Sequence, residues 1–154
     1  MLYIPTSEGW LYLCVFIDLF SRSVIGWLMS SSIKANLVTD TLTIAIFSRK
    51  FPNKVIVHSD RGSQYCSDNY QKLLNINSLI CSMSATGCCY DNAAMESFFH
   101  TLKVELVHGE NYRSKNEASS SIAYYIEAYY NRKSRHSAIN YNIPLLYESF
   151  AVAA

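Results

Sequence analysis

Two apolar runs separated by only two residues constrain this chain more than any other feature. Residues 10–20 (WLYLCVFIDLF) and 23–30 (SVIGWLMS) are both rich in aromatic and β-branched side chains, and only Ser21 and Arg22 stand between them. Runs of this composition read as strands, and so short a join leaves them an antiparallel pairing. Residues 35–51 then change period: Leu37, Thr41, Ile44, Phe47 and Phe51 fall on one helical face, and Pro52 ends the helix. The spacing further predicts a strand over 54–60, a helix over 67–77 capped by Ser67, a strand over 78–84 and a turn around Gly87. Helices over 90–107 and 115–132 follow, with an irregular tail over 136–150. A hairpin followed by alternating helices and strands implies an α/β fold, a mixed sheet flanked by helices.

The 154 residues, half of them hydrophobic and 14% aromatic, suffice for one domain with a full core. A net charge of +1 carries no general signal for nucleic acid. Basic residues do concentrate in NRKSRH (131–136), where Arg132, Lys133 and Arg135 precede His136. That cluster is either a solvated helix end or a patch that contacts phosphates. The five cysteines (14, 66, 81, 88 and 89) include no C-x-x-C pair and are odd in number. They read as reduced thiols of a cytosolic protein, with Cys88 and Cys89 as packing thiols, rather than as a zinc site. No run approaches the ~18 apolar residues of a membrane span, and no signal-peptide pattern opens the chain, so a soluble intracellular protein is expected.

The chemistry concentrates in VIVHSDRGSQY (55–65). An apolar strand climbs to Asp60 and breaks over Arg61 and Gly62. A carboxylate at the end of a buried strand is costly unless something uses it. The helix after Gly87 offers a partner. Met95, Phe98, Phe99, Leu102 and Leu106 form its buried stripe, while Asn92, Glu96, His100 and Lys103 line another face. Alone, that second face reads as a solvated surface with a Glu96–His100 pair.

Glu96 follows Asp60 by 36 positions, and the combination H-S-D-R-G-S-Q-Y with G-x-x-Y-D-N-A-x-x-E-S-F-F resembles the integrase-core transposases of bacterial insertion sequences. The match is to the insertion sequence three family, relatives of retroviral integrases. The segments YIPTSEGWLYL (3–13), IDLFSR (17–22), TLKVEL (101–106) and YYNRKSRHSAINY (129–141) agree, so the resemblance covers the whole chain as one catalytic core, 1–154.

The resemblance implies a ribonuclease H-like fold with a mixed five-stranded sheet, its first strand truncated here. It also implies two Mg²⁺ (or Mn²⁺) ions held by three carboxylates, for phosphodiester cleavage and strand transfer in DNA. Asp60 and Glu96 would be the catalytic metal ligands. Lys103 and His100 would touch DNA near the scissile phosphate, Asn92 and Tyr90 would line the site, and Arg61, Arg132, Lys133 and Arg135 would meet DNA further out. The family's first aspartate aligns just before Met1, so the chain is expected to be weak or inactive by itself. The alternative is an inactive remnant that only binds DNA or dimerises. Asp18 matches a turn residue of the family, pairing with Arg22 or capping the connection, and not the missing ligand. Basic residues of the family are replaced by Ala85 and Thr86, and no helix-turn-helix domain is present. The implied partners are DNA, at element ends and target, and further copies in a homodimer or higher multimer. Tyr124, Tyr125, Tyr129 and Tyr130 are expected chiefly in the core, with some at that interface. The implied location is the bacterial cytoplasm, with the nucleoid.

Overall fold

A computed structural model describes residues 1–84 and 93–152. Strands β1 (Leu2–Thr6), β2 (Gly9–Ile17) and β3 (Val24–Ser30) form an antiparallel sheet in the order β1-β2-β3. Leu2 faces Leu13 across the first pair and Thr6 faces Gly9, and the Thr6 hydroxyl donates to the Gly9 carbonyl at 2.7 Å to close the turn. The second connection is the short one foreseen at Ser21 and Arg22. The Asp18 N–H donates to the Ser23 carbonyl (2.9 Å) and the Arg22 N–H to the Asp18 carbonyl (2.7 Å), which puts Arg22 at φ +64°.

Strand β2 is apolar almost throughout because both of its faces are covered. Leu11, Leu13 and Val15 pack into one core with Phe98, Leu102, Ile122 and Ile126, while Cys14 packs into another with Val38, Leu42, Tyr70 and Leu74. Successive strand residues point to opposite faces, so a sheet between two helical layers needs an unbroken apolar run.

Helix α1 (Ala35–Ser48) lies against β3 and β2, and α2 (Asp68–Ile76) adjoins it. Gly26 permits the close contact with α1: a Cβ there would stand 2.7 Å from the Thr41 carbonyl oxygen and 2.9 Å from Ala45. The buried face of α1 is Leu37, Val38, Thr41, Leu42, Ala45 and Ile46, so only part of the expected face is right; Ile44, Phe47 and Phe51 are exposed. Pro52 does not end the helix. Lys50 and Phe51 turn left-handed, and the Phe51 N–H returns to the Ile46 carbonyl at 3.0 Å, which closes the last turn before the proline is reached.

Strands β4 (Ile56–Ser59) and β5 (Ile80–Met83) pair in parallel as a second, two-stranded sheet. All five expected strands are therefore present, in antiparallel and parallel pairs, but their hydrogen bonds divide them into two sheets. Ser67 caps α2 as foreseen, accepting from the Tyr70 N–H at 3.4 Å.

Helix α3 (Ala93–Glu105) buries Phe98 and Leu102, with Met95, Phe99 and Leu106 packed beside them, which is the stripe read from the sequence. Helix α4 (Lys115–Tyr124) starts at Ser114, whose hydroxyl accepts from the Glu117 N–H, and it continues as a π-helical segment, Tyr125–Tyr130. Tyr125 and Tyr130 are buried there while Tyr124 and Tyr129 are exposed, so the core takes half of the four tyrosines.

The tail is more ordered than expected. A 3-10 turn at Ser137–Ile139 is followed by α5 (Pro144–Val152), with proline in the first position, where its missing N–H costs nothing.

Candidate active site

Asp60 sits where β4 ends, on a platform built by local hydrogen bonds. Its Oδ1 accepts from the Gly62 N–H at 2.8 Å, an Asx turn that accounts for the chain breaking there. A Cβ on residue 62 would come within 2.9 Å of the same oxygen. Beside it, the Ser84 N–H donates to the Ser59 carbonyl (3.0 Å), and Arg61 Nε donates to the Ser84 carbonyl (3.0 Å). The His58 ring lies between the Ser82 and Ser84 hydroxyls, 3.0 Å from each. These contacts lock the exits of β4 and β5 together. Asp60 itself is exposed, and β4 is buried mainly at Ser59, so no desolvation penalty forces this carboxylate to have a partner.

The carboxylate stands at a cavity of about 430 Å³. Its walls come from β2 (Val15, Ile17), α1 (Ala45, Ile46), β4 (Ile56) and the first turn of α3, where Ala94 and Met95 reach it. Glu96 follows those two residues and is exposed. The fold thus brings the strand exit bearing Asp60 and the helical turn bearing Glu96 around one cavity. Among the described residues, no group of three or more His, Cys, Asp and Glu stands together.

Asp18 lines the same cavity but is committed elsewhere. Its Oδ1 accepts from the Phe20 N–H (2.8 Å), and its Oδ2 receives Arg49 Nη2 at 2.7 Å; Arg49 also pairs with Glu148 of α5. It is the turn residue foreseen, with Arg49 as its ion-pair partner in place of Arg22.

On α3, Glu96, His100 and Lys103 are all exposed, and no ion pair or hydrogen bond joins Glu96 to His100. Tyr90 and Asn92 lie outside the described residues, as do Ala85, Thr86, Cys88 and Cys89. Arg132, Lys133 and Arg135 are exposed, with Arg132 Nε donating to the Glu127 carbonyl at 3.1 Å. Arg135 lines one cavity with Ala93, Ala94 and Ser97, so part of the basic cluster shares that cavity with the turn that carries Glu96.

Two residues of the basic segment, Asn131 and His136, are also engaged by the fold. Asn131 is buried and holds the start of β3 by both backbone groups: its Oδ1 accepts from the Val24 N–H (2.9 Å), and its Nδ2 donates to the Val24 carbonyl (3.0 Å). His136 packs against Tyr130 with ring centroids 4.7 Å apart and the rings tilted by 57°. Burial and the neighbouring Arg22 push its pKa below the ordinary value, opposed by Glu105. Burial also raises the Tyr130 phenol to about 12. Both residues stand in YYNRKSRHSAINY, where the run of basic side chains hides the structural part of Asn131.

A family model described as "Integrase core domain" matches residues 1–114, and a second of the same description matches residues 96–149. The chain belongs to the integrase core domain family. Within it, the chain is similar to the transposase InsF for insertion sequence IS3A of Escherichia coli (strain K12), 56% identical over 135 residues, covering 88% of this chain and 47% of the relative. It is also similar to a transposase for insertion sequence element IS904 of Lactococcus lactis, 46% identical over 150 residues, covering 97% of this chain and 59% of that protein. The chain spans about half the length of the curated relatives it matches, 47% of the InsF proteins. Among solved structures, the catalytic core domain of BIV integrase covers 99% of this chain and 94% of that one, at a TM-score of 0.60 and 13% identity. A chain of the simian T-cell lymphotropic virus intasome in complex with PP2A regulatory subunit B56 gamma matches over 88% of this chain and 47% of that one, at a TM-score of 0.68 and 16% identity. This integrase core therefore has the ribonuclease H-like fold of retroviral integrase catalytic cores.

Proposed function

We propose that this integrase core is the catalytic domain of a DNA transposase, with Asp60 and Glu96 as the carboxylates that hold a divalent cation, Mg²⁺ or Mn²⁺. The observation that carries the reading is the convergence of the β4 exit and the first turn of α3 on one cavity, in a chain 56% identical to insertion-sequence transposases. The donor set fits such an ion. Hard cations take oxygen ligands, and Mg²⁺ is commonly bound through one or two carboxylates with water and substrate phosphates completing the shell. Asp60 spends one oxygen on the Gly62 N–H, and Glu96 has no protein partner among the described residues. When bound, the metal lowers the pKa of water and stabilises the charge that develops on phosphate oxygens.

The chain's own residues supply the rest. The Asx turn and the Arg61–Ser84 bond orient Asp60 without a buried support. His100 and Lys103, further along the exposed face of α3, offer a hydrogen-bonding group and a positive charge to a DNA strand lying along that helix. Arg132, Lys133 and Arg135 extend the positive surface. The substrate is DNA, at element ends and at target. The working unit is a homodimer or higher multimer, to which the exposed Tyr124 and Tyr129 contribute contact area. One structure of related fold carries magnesium and is described as dimeric, an HTLV-2 integrase core with a TM-score of 0.55 and 12% identity.

Two of the family's three carboxylates fall within these residues, so activity is expected to need the third. A chain extended upstream by an aspartate-bearing strand in register with β1 tests this, using strand transfer into supercoiled DNA. Metal-dependent transfer should appear in the extended chain, and Asp60→Asn or Glu96→Gln should each abolish it. Transfer that survives either substitution overturns the assignment. The alternative, a module that only binds DNA or dimerises, is favoured if the extended chain binds DNA without any transfer.

A further inference from the structure

A second cavity, of about 330 Å³, lies where the basic tail segment meets the start of α3. Its walls include two guanidinium groups, Arg22 and Arg135, the His136 imidazole, and the hydroxyl-bearing residues Ser97 and Ser137. Among the described residues, no acidic one lines it. Arg22 Nε and His136 Nε2 are both buried without a hydrogen-bond partner among the described residues. Buried polar groups left unpaired cost free energy, and such an orphan calls for an explanation. Arg22 is also held in a left-handed conformation, which a non-glycine side chain adopts at some cost, and the cost recurs where a side chain must be aimed.

Two guanidiniums, orphaned nitrogens and hydroxyl donors together select an anion with several acceptor oxygens. We infer that this cavity is a seat for a backbone phosphate of a nucleic acid, held by Arg22 and Arg135 with His136 and the serine hydroxyls beside them. Planar guanidinium forks match phosphate oxygens in pairs. The site is separate from the Asp60 cavity, although Ala94 lines both. A phosphate seated here would therefore fix a strand in register with the first turn of α3, adjoining Glu96. Glu105 acts on His136 as an opposing charge, and its carboxylate accepts from the Tyr125 hydroxyl at 2.7 Å. This inference rests on the reading of the chain as a DNA-acting domain, and assigns that domain a specific phosphate contact.

The test is duplex DNA binding by the 154-residue chain at several salt concentrations, for the native chain, Arg22→Asn, Arg135→Gln and a remote control, Lys34→Gln. Asparagine adopts the left-handed conformation readily, so Arg22→Asn removes the guanidinium while keeping the turn. Each arginine change should weaken binding about tenfold at low salt and flatten the salt slope by about one phosphate contact, with Lys34→Gln unchanged. The NMR signal of Arg22 Nε–H should shift on adding DNA. If the chain binds DNA while both arginine variants match the native salt slope, the phosphate seat is wrong and the broader reading survives. If the chain binds no DNA at all, both fall. Inorganic phosphate is a second probe: a shift of the Arg22 signal with phosphate but not with DNA would mark a pocket for free anions and overturn the nucleic-acid assignment.

Discussion

At the scale of single residues, the polar side chains differ in how far the fold engages them. Asp60, Glu96, His100 and Lys103 are exposed, whereas Asn131 is tied into the frame and His136 packs against Tyr130. Asp60 was legible because its strand is apolar and its turn is marked by glycine. Asn131 was not, because nothing in a sequence shows that an amide 107 positions from Val24 will satisfy both of its backbone groups. His136 gives a pH signature. Its folded-state pKa lies below the ordinary 6.5, so the unfolded chain binds the extra proton first as pH falls. Its stabilising contribution is complete above 6.5 and is lost as pH drops through the folded value. Thermal midpoints measured from pH 7.5 downward should therefore decline below 6.5, and His136→Gln should shallow that decline. An unchanged slope would show that other groups control acid stability.

At the scale of elements, periodicity gave the α3 stripe and the α2 cap correctly but misjudged which α1 residues face inward. Phe47 and Phe51 are large and apolar, yet the buried face takes Val38, Leu42, Ala45 and Ile46, with Ala45 and the Thr41 carbonyl meeting Gly26. Close approach of β3 and α1 at Gly26 sets which face turns inward, and no helical period encodes that distance. The tail was misread for a related reason: α5 has little amphipathic pattern, and its start is fixed by the Leu145 N–H donating to the Asn131 carbonyl at 3.2 Å. The packing makes a sharp prediction. Gly26→Ala places a methyl against backbone that cannot withdraw, and overpacking of this kind costs about 3 kcal/mol. Urea unfolding should show that loss with an unchanged denaturant slope. A loss below about 0.5 kcal/mol would mean that the two elements separate easily.

At the scale of the whole molecule, the fold is a sheet covered by helices on both faces, and it leaves a cavity between that sheet and the β4–β5 pair. No helix among the described residues is long and apolar enough to cross a membrane. The α/β class followed from the alternation of elements, but the division into two hydrogen-bonded sheets did not, since pairing between distant strands leaves no local trace. The proposed site needs one arrangement, a strand exit and a helix turn that present their carboxylates to a common ion. Calorimetric titration of Mn²⁺ into the native chain, Asp60→Asn, Glu96→Gln and the double variant tests it most directly. Saturable binding should weaken at least about tenfold in each single variant, with little further loss in the double, because a shared site is already broken by either change. Native-like affinity in either single variant, or no saturable binding by the native chain, would contradict the assignment.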